Sequence, residues 1–251
     1  QMDFINNLPD EQRDIYNYVD YDGEKFMRAG FDEWGASGIS AVWAEENTRE
    51  AIFSAFKRKE TYATSGNRIL LRFFGGFNLD DVDLNSSNLI SELYKRSTPM
   101  GGNIINSNNS IPHFIVWAKK GINGANLQRI QIVKGWIDDR SAQPFEKVYD
   151  VICSDGQIVD QVTQRCPDNG AKVNINDCSI SADIGDEELK TFWSDLDFDP
   201  ELKAFYYVRV IENPTCRWST WDALRAGTNP RKDLEPTIQE RAWSSPIWYI
   251  P

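Results

Sequence analysis

The amino-acid sequence predicts a mainly β protein, an antiparallel β-sandwich with a few short helices and a small mixed N-terminal junction segment. Three observations indicate this class: short runs rich in β-branched and aromatic residues, turns rich in Gly, Asn and Pro between them, and no strict alternation of strands and helices. The chain has 251 residues, of which 41% are hydrophobic and 12% aromatic, so it can bury a large core. This length allows one large domain or two small ones.

The N-terminal part is expected to belong to a preceding domain. Residues 1–40 are weakly periodic, with a short helix predicted over 9–18, and residue 1 is Gln, which we interpret as a boundary left by processing, proteolysis or cloning. This stretch also holds large apolar residues that a free linker would not expose, namely Phe4, Ile15, Phe26, Phe31 and Trp34. We therefore predict a tail and junction helix over 1–66 and a C-terminal β-sandwich-like domain over 67–251.

The junction helix has a start and an end that the sequence marks. Asn47 can accept hydrogen bonds from the free amides of a first helical turn, and Glu50 can reach back to it, as in a capping box. Positive charge at 57–59 suits the helix end, where the last carbonyls are unpaired. The apolar side of this helix is predicted to comprise Ala51, Ile52, Ala55 and Phe56. A turn at 65–67 then leads into a strand over 68–74.

Short apolar runs predict the strands that follow. A helical turn is predicted at 87–95, and strand-like runs cover 114–118, 129–136 and 147–152. Glycine and asparagine at 121–124 predict a hairpin between the first two of these runs.

The last third of the chain contains the clearest strand, over 205–211. Tyr206, Val208 and Val210 share one of its faces, and the other face is also expected to be covered. Residues 219–222 are predicted to cap a short helix that ends at Arg225. The run 247–250 lies between two prolines, which supply no ladder donor, so we predict a short edge strand there.

Several segments carry a resemblance to a known family. The stretch 38–77, GISAVWAEENTREAIFSAFKRKETYATSGNRILLRFFGGF, resembles the junction segment of a large bacterial family catalogued as domain of unknown function 3604. The resemblance continues in order through PMGG at 99–102, GANLQRIQIVKGW at 124–136, EKVYDV at 146–151, FDPELKAFYYVRVIENPTCRWSTWDALRAG at 198–227 and IQERAWSSPIWYIP at 238–251.

This resemblance implies a metallohydrolase domain of the polymerase and histidinol phosphatase (PHP) type, followed by a C-terminal β domain. The present chain resembles the C-terminal part, because the family's His-rich metal-binding motifs lie upstream of the junction. The implied cofactor is a divalent metal in that upstream domain, with none in this chain, and the implied reaction is hydrolysis of phosphoester or similar ester bonds. An alternative function is a carbohydrate- or protein-binding β-sandwich without catalytic activity, which the nine tryptophans suggest.

The charge of the chain argues against nucleic-acid binding. The formal net charge is −11, whereas nucleic-acid binding needs clustered Lys and Arg that displace phosphate counterions. No apolar run in the sequence is long enough to span a bilayer, and no basic-then-apolar signal sequence opens the chain. The partners that the resemblance implies are the upstream domain and a small-molecule substrate.

The four cysteines, Cys153, Cys166, Cys178 and Cys216, fit two disulfides. Zinc and free buried thiols are the alternatives, although the sequence has no CxxC pair and a single histidine. We favour the pairing of Cys153 with Cys166 and of Cys178 with Cys216. The first disulfide closes a short polar loop and would stabilise the fold by roughly 3 kcal/mol, because it lowers the entropy of the unfolded chain. Oxidised cysteines predict a periplasmic or secreted protein, because cytosolic thiols stay reduced.

Two features could bind metal but have a structural alternative. His113 is the only histidine and shares a strand face with apolar neighbours, so it is interpreted as structural; one histidine cannot build the metal centre that the resemblance implies. Asp195, Asp197 and Asp199 have the spacing of calcium ligands. However, Pro200 replaces the glycine of a calcium-binding EF-hand loop and no distal glutamate follows, which favours capping or turn formation.

The candidate binding residues lie in loop-like segments. They are Arg217, Trp218, Glu240, Arg241 and Trp243, with Glu45 and Glu46 before the junction helix. Either arginine could bind an anionic group of a substrate at the domain interface, and a tryptophan could line one side of that site. The alternative is a purely structural cation–π stack and ion pair. Glu45 and Glu46 either stabilise the helix amides or point toward an upstream metal.

Overall fold

A computed structural model of the chain describes residues 18–27, 35–105, 110–137 and 143–251. The chain divides into two compact units. The small unit comprises 1–36, 173–179 and 215–238, and the large unit comprises 37–172, 180–214 and 239–251. The predicted helix over 9–18 lies outside the described residues except for Tyr18, which begins a strand. The expected domain boundary at residue 66 stays a prediction.

The secondary structure is dominated by strands. In chain order they are β1 (Tyr18–Tyr21), β2 (Glu24–Met27), β3 (Ser40–Val42), β4 (Thr61–Thr64), β5 (Leu70–Gly76), β6 (Thr98–Pro99), β7 (Asn103–Ile105), β8 (His113–Lys119), β9 (Leu127–Ile137), β10 (Pro144–Cys153), β11 (Val173–Asn174), β12 (Ser179–Ile180), β13 (Glu188–Ser194), β14 (Ala204–Glu212), β15 (Thr215–Cys216), β16 (Thr237–Ile238), β17 (Arg241–Ser244) and β18 (Ile247–Ile250). The described helices are α1 (Arg49–Arg58), α2 (Leu89–Arg96) and α3 (Trp218–Arg225).

Two sheets form the large unit. One, the main sheet, has eight strands in the order β10-β9-β14-β17-β4-β3, with β18 also paired to β14 and β7 paired to β18. The other has four strands in the order β13-β8-β5-β6. Their facing sides share one core, in which Tyr206, Val208 and Val210 of the main sheet join Phe73 and Phe114 of the smaller sheet. The predicted mainly β sandwich is confirmed.

Strand β14 is the centre of the main sheet. Along one side it pairs with β9, and along the other it pairs first with β17 and then with β18. β18 also pairs in parallel with β7, so the predicted edge strand at 247–250 is wrong. The flanking prolines, Pro246 and Pro251, lie just outside the four paired residues, so every residue of β18 keeps its N–H.

The predicted hairpin at 121–124 is also wrong. β8 pairs with β5 and β13 in the smaller sheet, whereas β9 pairs with β10 and β14 in the main sheet. The turn itself exists, because the Gly124 amide donates to the Gly121 carbonyl at 2.9 Å. It carries the chain from one sheet to the other, because each of the two strands already has two neighbours in its own sheet.

Helix α1 begins and ends close to the predicted positions. Thr48, rather than Asn47, is the N-cap, because its backbone is extended and its hydroxyl accepts from the Ala51 amide at 3.3 Å. The helix ends at Lys59, which has a left-handed φ of 60°. Phe56 is 50% exposed, so the predicted apolar side is narrower than expected. β4 follows immediately and was not predicted.

Helix α3 has the predicted end but a different start. It begins at Trp218 with Arg217 as the N-cap residue, and Arg217 makes no side-chain capping bond. The prediction that residues 219–222 provide the cap is therefore wrong. Thr220 instead donates from its hydroxyl to the Pro236 carbonyl at 2.9 Å, because it already lies within the first turn and faces that carbonyl.

Both predicted disulfides are confirmed. Cys153 pairs with Cys166 in the large unit, with their Cα atoms 5.6 Å apart, and Cys178 pairs with Cys216 in the small unit at 5.5 Å. The first disulfide joins the end of β10 to a loop that has little regular structure of its own. Within the described residues, no helix is both long enough and apolar enough to cross a bilayer.

Candidate functional site

The large unit contains a cleft of about 500 Å³, which we call the Trp43 cleft. Its walls come from the loop after β3, the C-terminal end of α1 and the residue that precedes β4. Parts of β5, α2 and β6 complete the walls. The lining residues are Trp43, Ala44, Glu45, Arg58, Glu60, Arg72, Tyr94 and Pro99. Cationic, anionic and aromatic side chains therefore meet in a single concave surface, as in many ligand sites.

Arg72 and Trp43 form the back of the Trp43 cleft. The guanidinium carbon of Arg72 lies 3.6 Å from the centroid of the Trp43 ring, which is a close cation–π contact. The indole is fixed in turn, because its Nε1 donates to the Leu71 carbonyl at 2.8 Å. Strand β5 thus holds both partners: Leu71 fixes the indole through its backbone, and Arg72 stacks on that indole.

A hydrogen-bonded chain continues from Arg72. Its NH1 donates to the Tyr94 hydroxyl at 3.0 Å, and that hydroxyl donates to the Glu60 carboxylate. Burial, the hydrogen bond to Glu60 and the charge of Glu60 together raise the pKa of Tyr94 to about 12, and Arg72 opposes this increase. The phenol therefore remains protonated at neutral pH. Arg58 completes the group, with its NH2 3.5 Å from Glu60 Oε2.

The Trp43 cleft has an apolar neighbour. A smaller pocket of about 70 Å³ shares Trp43 and Arg72 with it and is otherwise lined by Leu70, Leu71, Trp117 and Lys119. The stacked pair therefore lines both pockets. A ligand with one anionic group and one apolar group would find a matching surface for each.

Only one of the residues predicted from the sequence lies in the Trp43 cleft, and that residue is Glu45. Glu46 accepts a hydrogen bond from the Thr48 hydroxyl at 3.1 Å, beside the helix start. Arg217 and Trp218 lie at the start of α3 in the small unit. A functional role for these residues stays a prediction.

The residues of β17 occupy another part of the large unit. Arg241 and Trp243 lie on this strand, and Trp243 is opposite Arg209 of β14. Glu240, immediately before the strand, is 6% exposed and accepts a hydrogen bond from the Ser65 hydroxyl. The structure thus separates Glu240 and Arg241, neighbours in sequence, into a buried and an exposed environment.

Sequence reasoning missed most of the Trp43 cleft. A lone arginine within the apolar run of β5 was the available signal for Arg72, since a buried strand rarely holds a charge without a partner. Glu60 is buried immediately after a helix end, and nothing local in the sequence distinguishes it from an exposed glutamate. Its partner Tyr94 comes from α2, which is 34 residues further along the chain.

A pair of buried carboxylates, Glu212 and Glu240, lies beside the turn at 65–67. Asn67 Nδ2 donates to Glu212 Oε2 at 2.5 Å, and the Ser65 hydroxyl donates to Glu240. Between them, a Cβ on Gly66 would lie 2.7 Å from the Glu240 carboxylate, so any larger residue there would require this carboxylate to move. Burial raises the pKa of Glu212 to about 7; the charge of Glu240 adds to this increase and the Asn67 hydrogen bond opposes it.

The raised pKa of Glu212 gives a testable pH dependence. Between about pH 4.5 and pH 7 the unfolded chain has lost this proton while the folded chain keeps it. The free energy of unfolding should therefore fall by up to about 3 kcal/mol as the pH rises through this range. Glu212→Gln stays neutral and keeps an acceptor for Asn67. The free energy of unfolding of this variant should therefore fall less between pH 4.5 and pH 7 than that of the unmodified protein. Urea unfolding from pH 4.5 to 8 measures the difference.

The control for that experiment is Glu187→Gln, because the Glu187 side chain is 73% exposed. This variant should show the pH slope of the unmodified protein. If Glu212→Gln also keeps that slope, burial does not raise the Glu212 pKa as described.

The described residues contain no group of three or more His, Cys, Asp or Glu side chains that could hold a metal ion. His113 packs its ring edge-on against Phe192, with centroids 5.0 Å apart. This aromatic contact agrees with the structural interpretation of His113.

The three aspartates of the DxDxD sequence have partners within the protein. Asp195 accepts from Lys134 Nζ at 2.5 Å, so an ammonium group already neutralises it. Asp195 and Asp199 also accept backbone amides two residues further on, from Asp197 and Glu201, as turn-forming aspartates do. These contacts favour turn formation over calcium binding.

Comparison with known proteins gives a family but no characterised relative. No curated protein and no solved structure matches the chain. The model of the family described as protein of unknown function, DUF3604, matches residues 4–251. The chain therefore belongs to the DUF3604 family.

Proposed function

We propose that this chain is the β domain of an exported, metal-dependent hydrolase that acts on phosphoesters or similar esters. In this proposal the metal ligands belong to a PHP-type domain that precedes the chain in the protein, and the Trp43 cleft binds the anionic group of the substrate. Membership of the DUF3604 family and the resemblance of its junction segment support the reaction class. The two disulfides support a periplasmic or secreted location.

The observation that carries the proposal is the stacking of Arg72 on Trp43 in the Trp43 cleft. The hydrogen-bond partner of Arg72 is the neutral hydroxyl of Tyr94, and the nearby carboxylate of Glu60 is engaged by that hydroxyl and by Arg58. No carboxylate of the described residues therefore pairs directly with Arg72 and cancels its charge. A guanidinium whose plane is fixed by stacking is well suited to bidentate binding of a phosphate or carboxylate.

Glu45 gives the Trp43 cleft a carboxylate besides Glu60. In this proposal Glu45 lies on the side of the cleft that faces the metal domain, where it orients the substrate or contributes a ligand. The junction segment that contains it, AVWAEEN at 41–47, is within the part of the chain that resembles the family most extensively.

The alternative, a carbohydrate-binding module, has less support from the positions of the tryptophans. Among the eight tryptophans of the described residues, only Trp221 and Trp248 are exposed, at 38% and 43%. One lies on helix α3 and the other on strand β18, so they do not form a row along one strand or helix face. A row of exposed rings is what this alternative requires.

The proposal is tested by titrating the chain with phenyl phosphate, which combines a phosphate with an apolar ring. We expect millimolar binding by calorimetry and a shift of the Trp43 indole signal in ¹⁵N-correlated NMR spectra. Arg72→Met should weaken binding by about tenfold or more, because a charge-assisted hydrogen bond is lost. Arg49→Met, on the exposed first turn of α1, removes the same charge and should leave the affinity within about twofold.

Equal affinity of the Arg72→Met and Arg49→Met variants, with both folded by circular dichroism, would show that the Trp43 cleft is not the binding site. The upstream metal domain is tested separately by the mass and metal content of the purified full-length gene product. A gene product that begins near Gln1 would refute that part of the proposal.

A further inference from the structure

Four arginines come together on the face of the main sheet that points away from the core. Arg129 of β9 and Arg241 of β17 both lie opposite Ile211 of β14, and Arg209 is two residues before Ile211. Antiparallel partners share a face and are about 5 Å apart, so three neighbouring strands place one guanidinium each within a small area. Arg165, from the loop closed by Cys153 and Cys166, is the fourth.

Two of these arginines, Arg129 and Arg165, flank a buried carboxylate, that of Asp150. Its Oδ1 accepts from Gln131 Nε2 at 2.5 Å, and its Oδ2 accepts from the Cys166 amide at 2.7 Å. Arg129 Nε and Arg165 NH1 each lie 3.6 Å from one of its oxygens. Two guanidiniums therefore flank this carboxylate directly, and Arg209 is connected to it through Gln131.

The excess of positive charge affects the arginines themselves. Burial lowers the pKa of Arg129; Asp150 opposes this decrease, and the charges of Arg209, Arg165 and Arg241 add to it. A further anion placed among these arginines would relieve their mutual repulsion.

Hydrogen-bond donors remain available in the cluster. Among the described residues, the buried Nε of Arg129 has no hydrogen-bond partner, and the nearest carboxylate oxygen, Asp150 Oδ2, is 3.6 Å away. Arg209 is held in place because its Nε donates to Gln131 Oε1 at 2.6 Å, and the same Gln131 donates to Asp150. The side chain of Arg241 makes no hydrogen bond or ion pair among the described residues and is exposed. Arg209 is therefore held in a fixed position, and Arg241 is accessible to a ligand.

We infer that Arg129, Arg165, Arg209 and Arg241 form a second anion-binding site, for a tetrahedral oxyanion of a phosphate or sulfate group. The site is separate from the Trp43 cleft and shares no residue with it. Several guanidiniums, oriented by Gln131 and Asp150, provide the forked donors that such an anion needs. Trp243, opposite Arg209 on the adjacent strand, adds a ring beside the site for an ester of that oxyanion.

The test is calorimetric titration of the chain with inorganic phosphate and, separately, with inorganic sulfate, at constant ionic strength. The Trp243 indole signal in NMR spectra reports on this site, and the Trp43 signal reports on the Trp43 cleft. We expect saturable binding that moves the Trp243 signal. Preference for phosphate would assign a phosphate ester to the site, and preference for sulfate a sulfate ester.

Two variants and one matched control make the test specific. Arg209→Met with Arg241→Met should weaken binding by about tenfold or more, and Arg241→Met alone by about threefold or more. Arg241→Met is the safeguard against misfolding, because this exposed side chain has no hydrogen-bond or ion-pair partner in the described part of the chain. Arg49→Met with Lys57→Met removes the same charge from the exposed face of α1 and should change the affinity by less than about twofold.

Arg72→Met should leave this binding unchanged, so failure of the second site and failure of the Trp43 cleft are distinguishable. Binding of neither anion would overturn the inference. Affinities that are the same in the Arg241→Met variant and in the control would overturn it as well.

Discussion

Replacement of Lys134 by methionine is expected to destabilise the protein by about 3–5 kcal/mol, because it leaves a buried carboxylate without its counter-charge. Lys134 is 5% exposed and Asp195 is fully buried, and their charged atoms are 2.5 Å apart. Asp195 also accepts from the Tyr206 hydroxyl at 2.7 Å, and Lys134 also donates to the Asp197 carbonyl at 2.8 Å. Urea unfolding at pH 7, followed by tryptophan fluorescence, measures the loss.

The matched control is Lys147→Met. Lys147 pairs with Asp197 close to Lys134, but 43% of the Lys147 side chain and 55% of the Asp197 side chain are exposed. Solvent screens this pair, so its loss should cost less than about 1 kcal/mol. Similar losses in the two variants would mean that the burial of Lys134 and Asp195 does not determine the stability of their contact.

Phe114→Ala is expected to have a comparable effect, about 3–5 kcal/mol, because it opens a cavity between the two sheets. Phe114 is fully buried, and its ring centroid lies 4.5 Å from that of Tyr206 in the main sheet and 5.5 Å from that of Phe73 in its own sheet. The substitution removes ring contacts within one sheet and across the core together. Chemical denaturation of the purified variant measures the change in the free energy of unfolding.

Phe192→Ala provides the comparison, because Phe192 lies on the adjacent strand β13 and is 36% exposed. It should cost less than about 1.5 kcal/mol, since its ring contact is with His113 near the surface. If Phe192→Ala lowers the free energy of unfolding as much as Phe114→Ala does, the core is not centred where the two sheets face each other.

Local pattern was sufficient to predict the disulfides and most of the long strands, although β4 and β13 were missed. The alternation in β14 correctly assigned Tyr206, Val208 and Val210 to one buried face, and the cysteine spacing led to the correct pairing. The choice of Asn47 over Thr48 as the cap was wrong because both residue types are good caps. Only the backbone conformation shows which of the two residues accepts a hydrogen bond from the first turn of the helix.

Sheet membership and the Trp43 cleft could not be predicted in the same way. Whether β8 and β9 form a hairpin depends on the other strands available to each, and those strands come from distant parts of the chain. The contacts among Trp43, Glu60, Arg72 and Tyr94 likewise join three or more separate elements. No periodicity within one element encodes a contact of this kind.

The pairing of β4 with β17 has a consequence for how the protein is made. Ala63 lies opposite Trp243, so a ribosome must synthesise nearly the whole chain before β4 acquires this neighbour. Until then, β4 presents free backbone groups that another nascent chain can capture. Completion of the fold must wait for the last strands, and pairing between such distant parts of the chain makes folding slow.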